Sequence, residues 1–219
     1  MINRLLGNWF EQPLVVIDVE TTGFSPEYDR VVEVAAVRVE RGRVLDGWST
    51  LIDPCRLIPR SAQKAHGISD HDVYMKPRFL HVASKLISLT RGAFPVAYSS
   101  EFDRRMLAGE MDRAGLGHVR GYTHLTFDPQ WPWIDPLIWV RDFDGQPADR
   151  QRNTLTAACT RRGIELKNAH RALDDAEATA ILTLELSRRI GHMTVTQLLL
   201  LQRDGARRWA DQKKKASGS

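Results

Sequence analysis

The stretch "PLVVIDVETTGF", Pro13 to Phe24, constrains the fold more than any other. Five of the six residues from Leu14 to Val19 are apolar, and the run is bounded by Pro13 and Gly23. That pattern predicts a strand buried on both faces. Yet Asp18 and Glu20 stand at its end. Side chains alternate along a strand, so the two carboxylates share one face, about 6.6 Å apart along the chain. Buried like charges need a countercharge. No Lys or Arg lies between Arg4 and Arg30. A divalent cation such as Mg²⁺ or Mn²⁺ meets that need with carboxylate ligands. The alternative is a strand that simply ends in solvated acids.

The rest of the chain predicts an α/β sandwich. "RVVEVAAVRVERGRVLDGWSTLID" reads as two further strands joined at Arg41-Gly42-Arg43. With the first strand they make an antiparallel meander. "RFLHVASKLISLTRG" has helical spacing at Phe79, Val82, Leu86 and Leu89. "AFPVAYSS" reads as a short strand, and "EFDRRMLAGEMDRAG" as a helix capped by Ser99 or Ser100. "IDPLIWVRD" reads as a strand or a short helix, and "TLTAACTRRGI" as a helix closed by Gly163. A long helix follows in "AHRALDDAEATAILTLELSRRI", with Leu173, Ala176, Ala180 and Leu184 in one stripe. The expected architecture is a mixed sheet of about five strands flanked by helices.

Charge is placed unevenly. The 219 residues carry a formal +4, and all of it arises from residue 203 onward, where six basic residues meet two acids. The body before it is neutral, which argues against a broad DNA-coating surface but not against an enzyme that grips a strand end. Residues 1–202 are expected to form one folded domain and 203–219 a basic, flexible tail. Cys55 and Cys159 form neither a disulfide framework nor a zinc motif, and suit a reducing, cytoplasmic setting. No apolar run is long enough for a transmembrane helix, and the polar start is no signal peptide.

Two more segments carry acids. Asp103 lies in the first turn of the helix "SSEFDRRML", and Asp175 near the start of the long helix, with His170 five residues before it. Singly, each has a plain structural explanation. Together, "VVIDVETTGF", "EFDRRML" and "HRALDDAEA" resemble the three motifs of the DnaQ-like, or DEDDh, 3′–5′ exonucleases. The family includes a proofreading subunit of bacterial DNA polymerase III, RNase T and oligoribonuclease. "DRVVEVAAVRV" and "KAHGIS" also resemble it, and the likeness spans roughly residues 13 to 190.

The resemblance implies a ribonuclease H-like three-layer fold. It implies that Asp18, Glu20, Asp103 and Asp175 hold two Mg²⁺ or Mn²⁺ ions, with Asp18 bridging both, and that His170 is the general base. Two such ions about 3.5–4 Å apart clamp the attacking and leaving oxygens of an in-line phosphoryl displacement. Family spacing favours Asp175 over the adjacent Asp174. By the same resemblance, Thr21, Thr22, Gly23 and Phe24 approach the terminal nucleotide. His66 either contacts substrate or caps its local turn. Glu33 is expected to be a buried, hydrogen-bonded structural acid.

The sequence departs from the family at two places. The run Tyr98-Ser99-Ser100-Glu101-Phe102-Asp103 lacks the His-Asn common in the family ahead of the second-motif acid, which leaves substrate preference open. Residues 117–133 form an insert bearing Tyr122, Phe127, Trp131 and Trp133. These aromatics either stack on bases or plug a hydrophobic seam; the seam is the favoured reading. The expected activity is metal-dependent release of nucleoside 5′-monophosphates from single-stranded or frayed DNA 3′ ends, with a polymerase or repair complex as the expected partner. The rivals are trimming of RNA or short oligonucleotides by the same chemistry, and a non-catalytic interaction module that kept the fold.

Overall fold

The computed structural model describes residues 5–117, 127, 131–144 and 152–217. The chain begins with β1 (Leu14–Thr21), β2 (Val31–Glu40) and β3 (Arg43–Leu51). They form the expected antiparallel meander. The β2–β3 turn is made by Arg41 (φ 50°) and Gly42 (φ 71°), both left-handed, as a two-residue hairpin requires. Two short helices follow, α1 (Arg60–His66) and α2 (Asp70–Val73). Then come α3 (Phe79–Thr90), β4 (Phe94–Val96), α4 (Glu101–Arg113), α5 (Pro136–Asp144) and α6 (Leu155–Thr160). The chain closes with α7 (Ala172–Ile190) and α8 (Val195–Ser217).

The sheet order is β3-β2-β1-β4, with β4 parallel to β1. Among the described residues it has four strands rather than five. At the place of a fifth, Ile134 makes one isolated parallel bridge to Val96. The chain then turns helical at Pro136, which has no N–H to give to a ladder but fits the first position of a helix.

Strands β1, β2 and β4 bury both faces, whereas the edge strand β3 stays partly exposed along its length. Leu14 and Val16 of β1 pack with Val37, Phe94 and the inner residues of α5 to α8. Val15, Ile17 and Val19 pack on the opposite side with Phe79, Val82 and Leu86 of α3 and Met106, Leu107 and Met111 of α4. Asp18 and Glu20 continue the first face, beneath α7. That helix presents Ala172, Ala176 and Ala180, all fully buried, so its backbone lies close to the sheet. Gly47 of β3 makes the same approach feasible: a Cβ there would stand 2.5 Å from Leu173 Cδ1.

The boundary expected after residue 202 falls within α8, one continuous helix from Val195 to Ser217. Its early turns enter the core through Val195 and Leu198. Farther along, Arg208 pairs with Asp142 at 2.7 Å, and Arg141 stacks on the Trp209 ring at 3.8 Å. The insert aromatics fall partly outside the described residues, Tyr122 among them. Trp133 and Phe127 are buried in the core on the α3–α4 side. Trp131 stacks on Phe94 with ring centroids 6.0 Å apart. These three fill a seam beside the sheet.

Candidate active site

The site forms where β1 outlives its neighbour. Strand β4 stops at Val96, paired to Val16, while β1 runs on to Thr21. The Val19 amide is therefore left without a strand partner on that edge. Asp103, in the first turn of α4, fills the gap: its Oδ1 accepts the Val19 N–H at 3.1 Å. This bond places the Asp103 carboxylate between the backbone positions of Asp18 and Glu20.

From the other direction, α7 delivers Asp175, whose Oδ2 accepts the His170 amide at 3.1 Å. His170 sits at φ 66°, a left-handed conformation in which His is several-fold enriched over most residues. Glu20, His170 and Asp175 each offer a ligand atom within 4.8 Å of the others. Asp18 and Asp103 lie outside this tightest group but within electrostatic reach of it. Asp174 points elsewhere and accepts a hydrogen bond from Asn168 Nδ2 at 3.3 Å.

The charges of this cluster oppose one another. Burial lifts the Asp18 carboxyl well above the ordinary carboxylate range, and repulsion from Asp103, Asp175, Glu20 and Glu33 adds to it. Burial pushes Glu20 up to about 8, with Asp175 and Glu33 adding and Arg171 opposing. Burial raises Asp175 to about 6 against the stabilising His170 amide bond. Asp103 is likewise raised by burial, against the backbone N–H bonds it accepts. Such a set cannot fully ionise by itself. The buried Asp175 Oδ1 also has no hydrogen-bond partner among the described residues. Crowded carboxylate oxygens, one of them orphaned, fit a hard divalent cation.

Surrounding residues hold the shape. Glu33 lies opposite Glu20 in the β1–β2 ladder and is 3% exposed. It accepts Arg171 Nη2 at 2.8 Å, Arg171 Nε at 3.1 Å and the Ala172 amide at 3.1 Å. Glu33 is thus the structural acid expected, and it clamps the residues that follow His170. After β1, Thr22 Oγ1 donates to Asp29 Oδ1 at 3.0 Å, and Asp29 Oδ2 accepts the Ser25 amide. A Cβ at Gly23 would stand 2.4 Å from Asp29 Oδ2, so any larger residue would displace this bracing carboxylate. Thr21 Oγ1 donates to the Gly23 carbonyl at 2.6 Å. This braced turn leaves Phe24 88% exposed, 6.0 Å from Phe102. His66 Nδ1 accepts the Ile68 amide at 3.0 Å, which matches the capping alternative of the two roles expected for it. Its Nε2 is buried beside the Thr21 backbone without a well-formed bond, and burial lowers its pKa.

Two residues escaped the sequence reading. Arg171 was hidden because its partner Glu33 is 138 positions away. Asp135 was hidden because "IDPLIWVRD" reads as a strand or a short helix, with no local sign of a carboxylate that bridges segments. In the fold it accepts amides from two chain segments, Ser99 and Ser100 on one side and Leu137 on the other. The side-chain cap expected from Ser99 or Ser100 is absent from α4, and Asp135 accepts the Ser99 and Ser100 amides just ahead of the helix.

A family model described as an exonuclease, the RNase T type, matches residues 15–183. The chain belongs to this exonuclease family. Among its relatives, the PolC-type DNA polymerase III of Halalkalibacterium halodurans is 31% identical over 169 residues, which is 77% of this chain and 11% of the polymerase. The 3′-5′ exonuclease DinG of Bacillus subtilis is 30% identical over 198 residues, 88% of this chain and 19% of DinG. The chain therefore spans only a tenth to a fifth of the length of these relatives. Among solved structures, Exonuclease X with 5′ overhanging duplex DNA superposes with TM-score 0.63 at 26% identity, covering 86% of this chain and 99% of that one. E. coli Exonuclease I with a dA16 oligonucleotide gives 0.69 at 19% identity, over 86% and 42% of the two chains, and shares the fold. The mixed sheet between helical layers is the ribonuclease H-like fold of these exonucleases. Among the described residues, no helix is long and apolar enough to cross a membrane.

Proposed function

We propose that this protein is a 3′–5′ exonuclease that removes nucleoside 5′-monophosphates from single-stranded or frayed DNA ends, with Asp18, Glu20, Asp103 and Asp175 holding two divalent cations, Mg²⁺ or Mn²⁺. The observation that carries this reading is the meeting of Glu20, His170 and Asp175 within 4.8 Å, with Asp18 and Asp103 beside them and Asp175 Oδ1 orphaned. When bound, such cations supply electrophilic stabilisation of a phosphodiester and make water more acidic. The chain's own residues do the rest. The His170 ring, held at the rim by its amide bond to Asp175, takes the proton from the attacking water. The Asp103–Val19 bond fixes where the acids stand when substrate arrives. The turn from Thr21 to Phe24 offers backbone and an exposed aromatic face to the terminal nucleotide, an arrangement suited to stacking. DNA is favoured because the PolC-type relatives are DNA polymerases by name and Exonuclease X holds duplex DNA. The same relatives support a polymerase or repair assembly as partner.

The test uses the purified chain with Mg²⁺ or Mn²⁺ on matched DNA and RNA strands labelled at either end. Mononucleotides released at once from the 3′ label, and only late from the 5′ label, are expected on DNA. Faster release from RNA would replace DNA with an RNA-trimming role. No release from either strand by the parent, or equal release by Asp18→Asn, would defeat the exonuclease reading.

A further inference from the structure

The position of Asp103 depends on α4, and α4 is held by groups outside the four expected cation ligands, among them Asp135, close enough to repel the Asp103 carboxylate. The turn ahead of it is strained: Ser99 adopts φ 67°, a left-handed conformation disfavoured for a residue other than glycine. The Ser100 side chain makes no capping bond to the helix. Asp135 supplies what the turn lacks. Its Oδ1 accepts the Ser99 and Leu137 amides, each at 3.0 Å. Its Oδ2 accepts the Ser100 amide at 3.0 Å and the Ser100 hydroxyl at 3.3 Å. One buried carboxylate thereby locks the N-terminal approach of α4 to that of α5.

Asp135 is itself held. The Ile134 amide donates to Pro95 at 2.9 Å, and the Ala97 amide donates back to Ile134 at 3.1 Å, which ties the segment to the end of β4. From α8, Gln202 Oε1 accepts the Asp135 amide at 2.8 Å, and Gln202 Nε2 donates to the Trp133 carbonyl at 2.8 Å. An unbroken path of hydrogen bonds and backbone therefore runs from Gln202 through Asp135 to Ser99 and Ser100. From there one turn of α4 leads to Asp103 and so to the Val19 amide. Gln202 lies beyond residue 183, where the family match ends.

We propose that Asp135 is a positioning residue for Asp103, and that Gln202 makes α8 a structural part of the catalytic site. This rests on the exonuclease reading for its consequence in activity, but not for its consequence in cation binding. Asp135→Asn replaces one acceptor oxygen with an NH₂ that faces amide donors. Gln202→Ala removes the outer grip and leaves the carboxylate intact.

The experiment measures Mn²⁺ affinity of the full chain by titration calorimetry, and kcat and KM on a 3′-labelled oligonucleotide, at a temperature where each variant is shown to be folded. Asp135→Asn is expected to weaken Mn²⁺ binding and to lower kcat, each by about 10–100-fold, with little change in KM. Gln202→Ala is expected to give the same signature, reduced to about threefold. A purely structural role would lower the melting temperature and leave Mn²⁺ affinity at its parental value; that result in folded Asp135→Asn overturns the proposal. If Asp135→Asn does not fold, parental affinity and kcat in Gln202→Ala overturn it instead. A parent that binds Mn²⁺ but releases no nucleotide defeats the exonuclease reading alone, and the calorimetric comparison still decides the positioning role.

Discussion

Replacing Glu20 by Gln should stabilise the cation-free protein, and only at high pH. In the fold, burial and the neighbouring acids raise the Glu20 carboxyl from 4.5 to about 8. The folded state therefore holds this proton more tightly than the unfolded chain does. Its contribution to stability is fully present below pH 4.5 and is lost as pH rises towards 8. A shift of that size corresponds to roughly 4–5 kcal/mol when complete. Glu20 keeps some solvent contact, so screening reduces the realised value to about 2 kcal/mol. Gln cannot ionise and avoids the loss. In the presence of EDTA, the melting temperatures of parent and variant should agree near about pH 5. Near about pH 8.5 the variant should melt about 4–8 °C higher, given 2–4 °C per kcal/mol for a chain of this size. Saturating Mn²⁺ should reverse the order, because the parent gains about 3 kcal/mol at a hundredfold excess over Kd and the variant, short of a ligand, gains less. A variant no more stable than the parent at high pH without cations would refute the claim that these acids are held together against their own repulsion.

Further outcomes follow from neighbouring groups. Asp175→Asn should lower the hydrolysis rate by about 10³-fold or more, while Asp174→Asn stays within about threefold of the parent in the same end-labelled assay. The reverse pattern would show that the wrong carboxylate has been placed in the site. Arg171→Ala leaves Glu33 buried with only the Ala172 amide, and should cost about 1–3 kcal/mol in urea unfolding at neutral pH. An unchanged unfolding midpoint would show that the pair, exposed on its arginine side, contributes nothing.

Much of this site was legible in the sequence for a simple reason. Strand periodicity places Asp18 and Glu20 on one face whatever the rest of the chain does. The meander, the helices and the burial of Glu33 follow from local patterns of the same kind. The fifth strand was misjudged because "IDPLIW" satisfies both a strand and a helix start. The choice was made by Pro136 and by the acceptor oxygens of Asp135, which serve Ser99 and Leu137 at once. The basic stretch from Arg203 onward reads as a tail because its six basic residues outnumber its two acids. In the fold Asp142 pairs with Arg208, Arg141 covers Trp209, and the helix continues.

The sequence by itself determined which carboxylates exist, which of them share a strand face, and which helices carry the others. Only the tertiary structure decided that they meet, because α7 packs close through its alanines and β4 ends early enough to leave the Val19 amide for Asp103. Those are contacts between segments about 80 to 160 residues apart, and no local pattern encodes the distance across them.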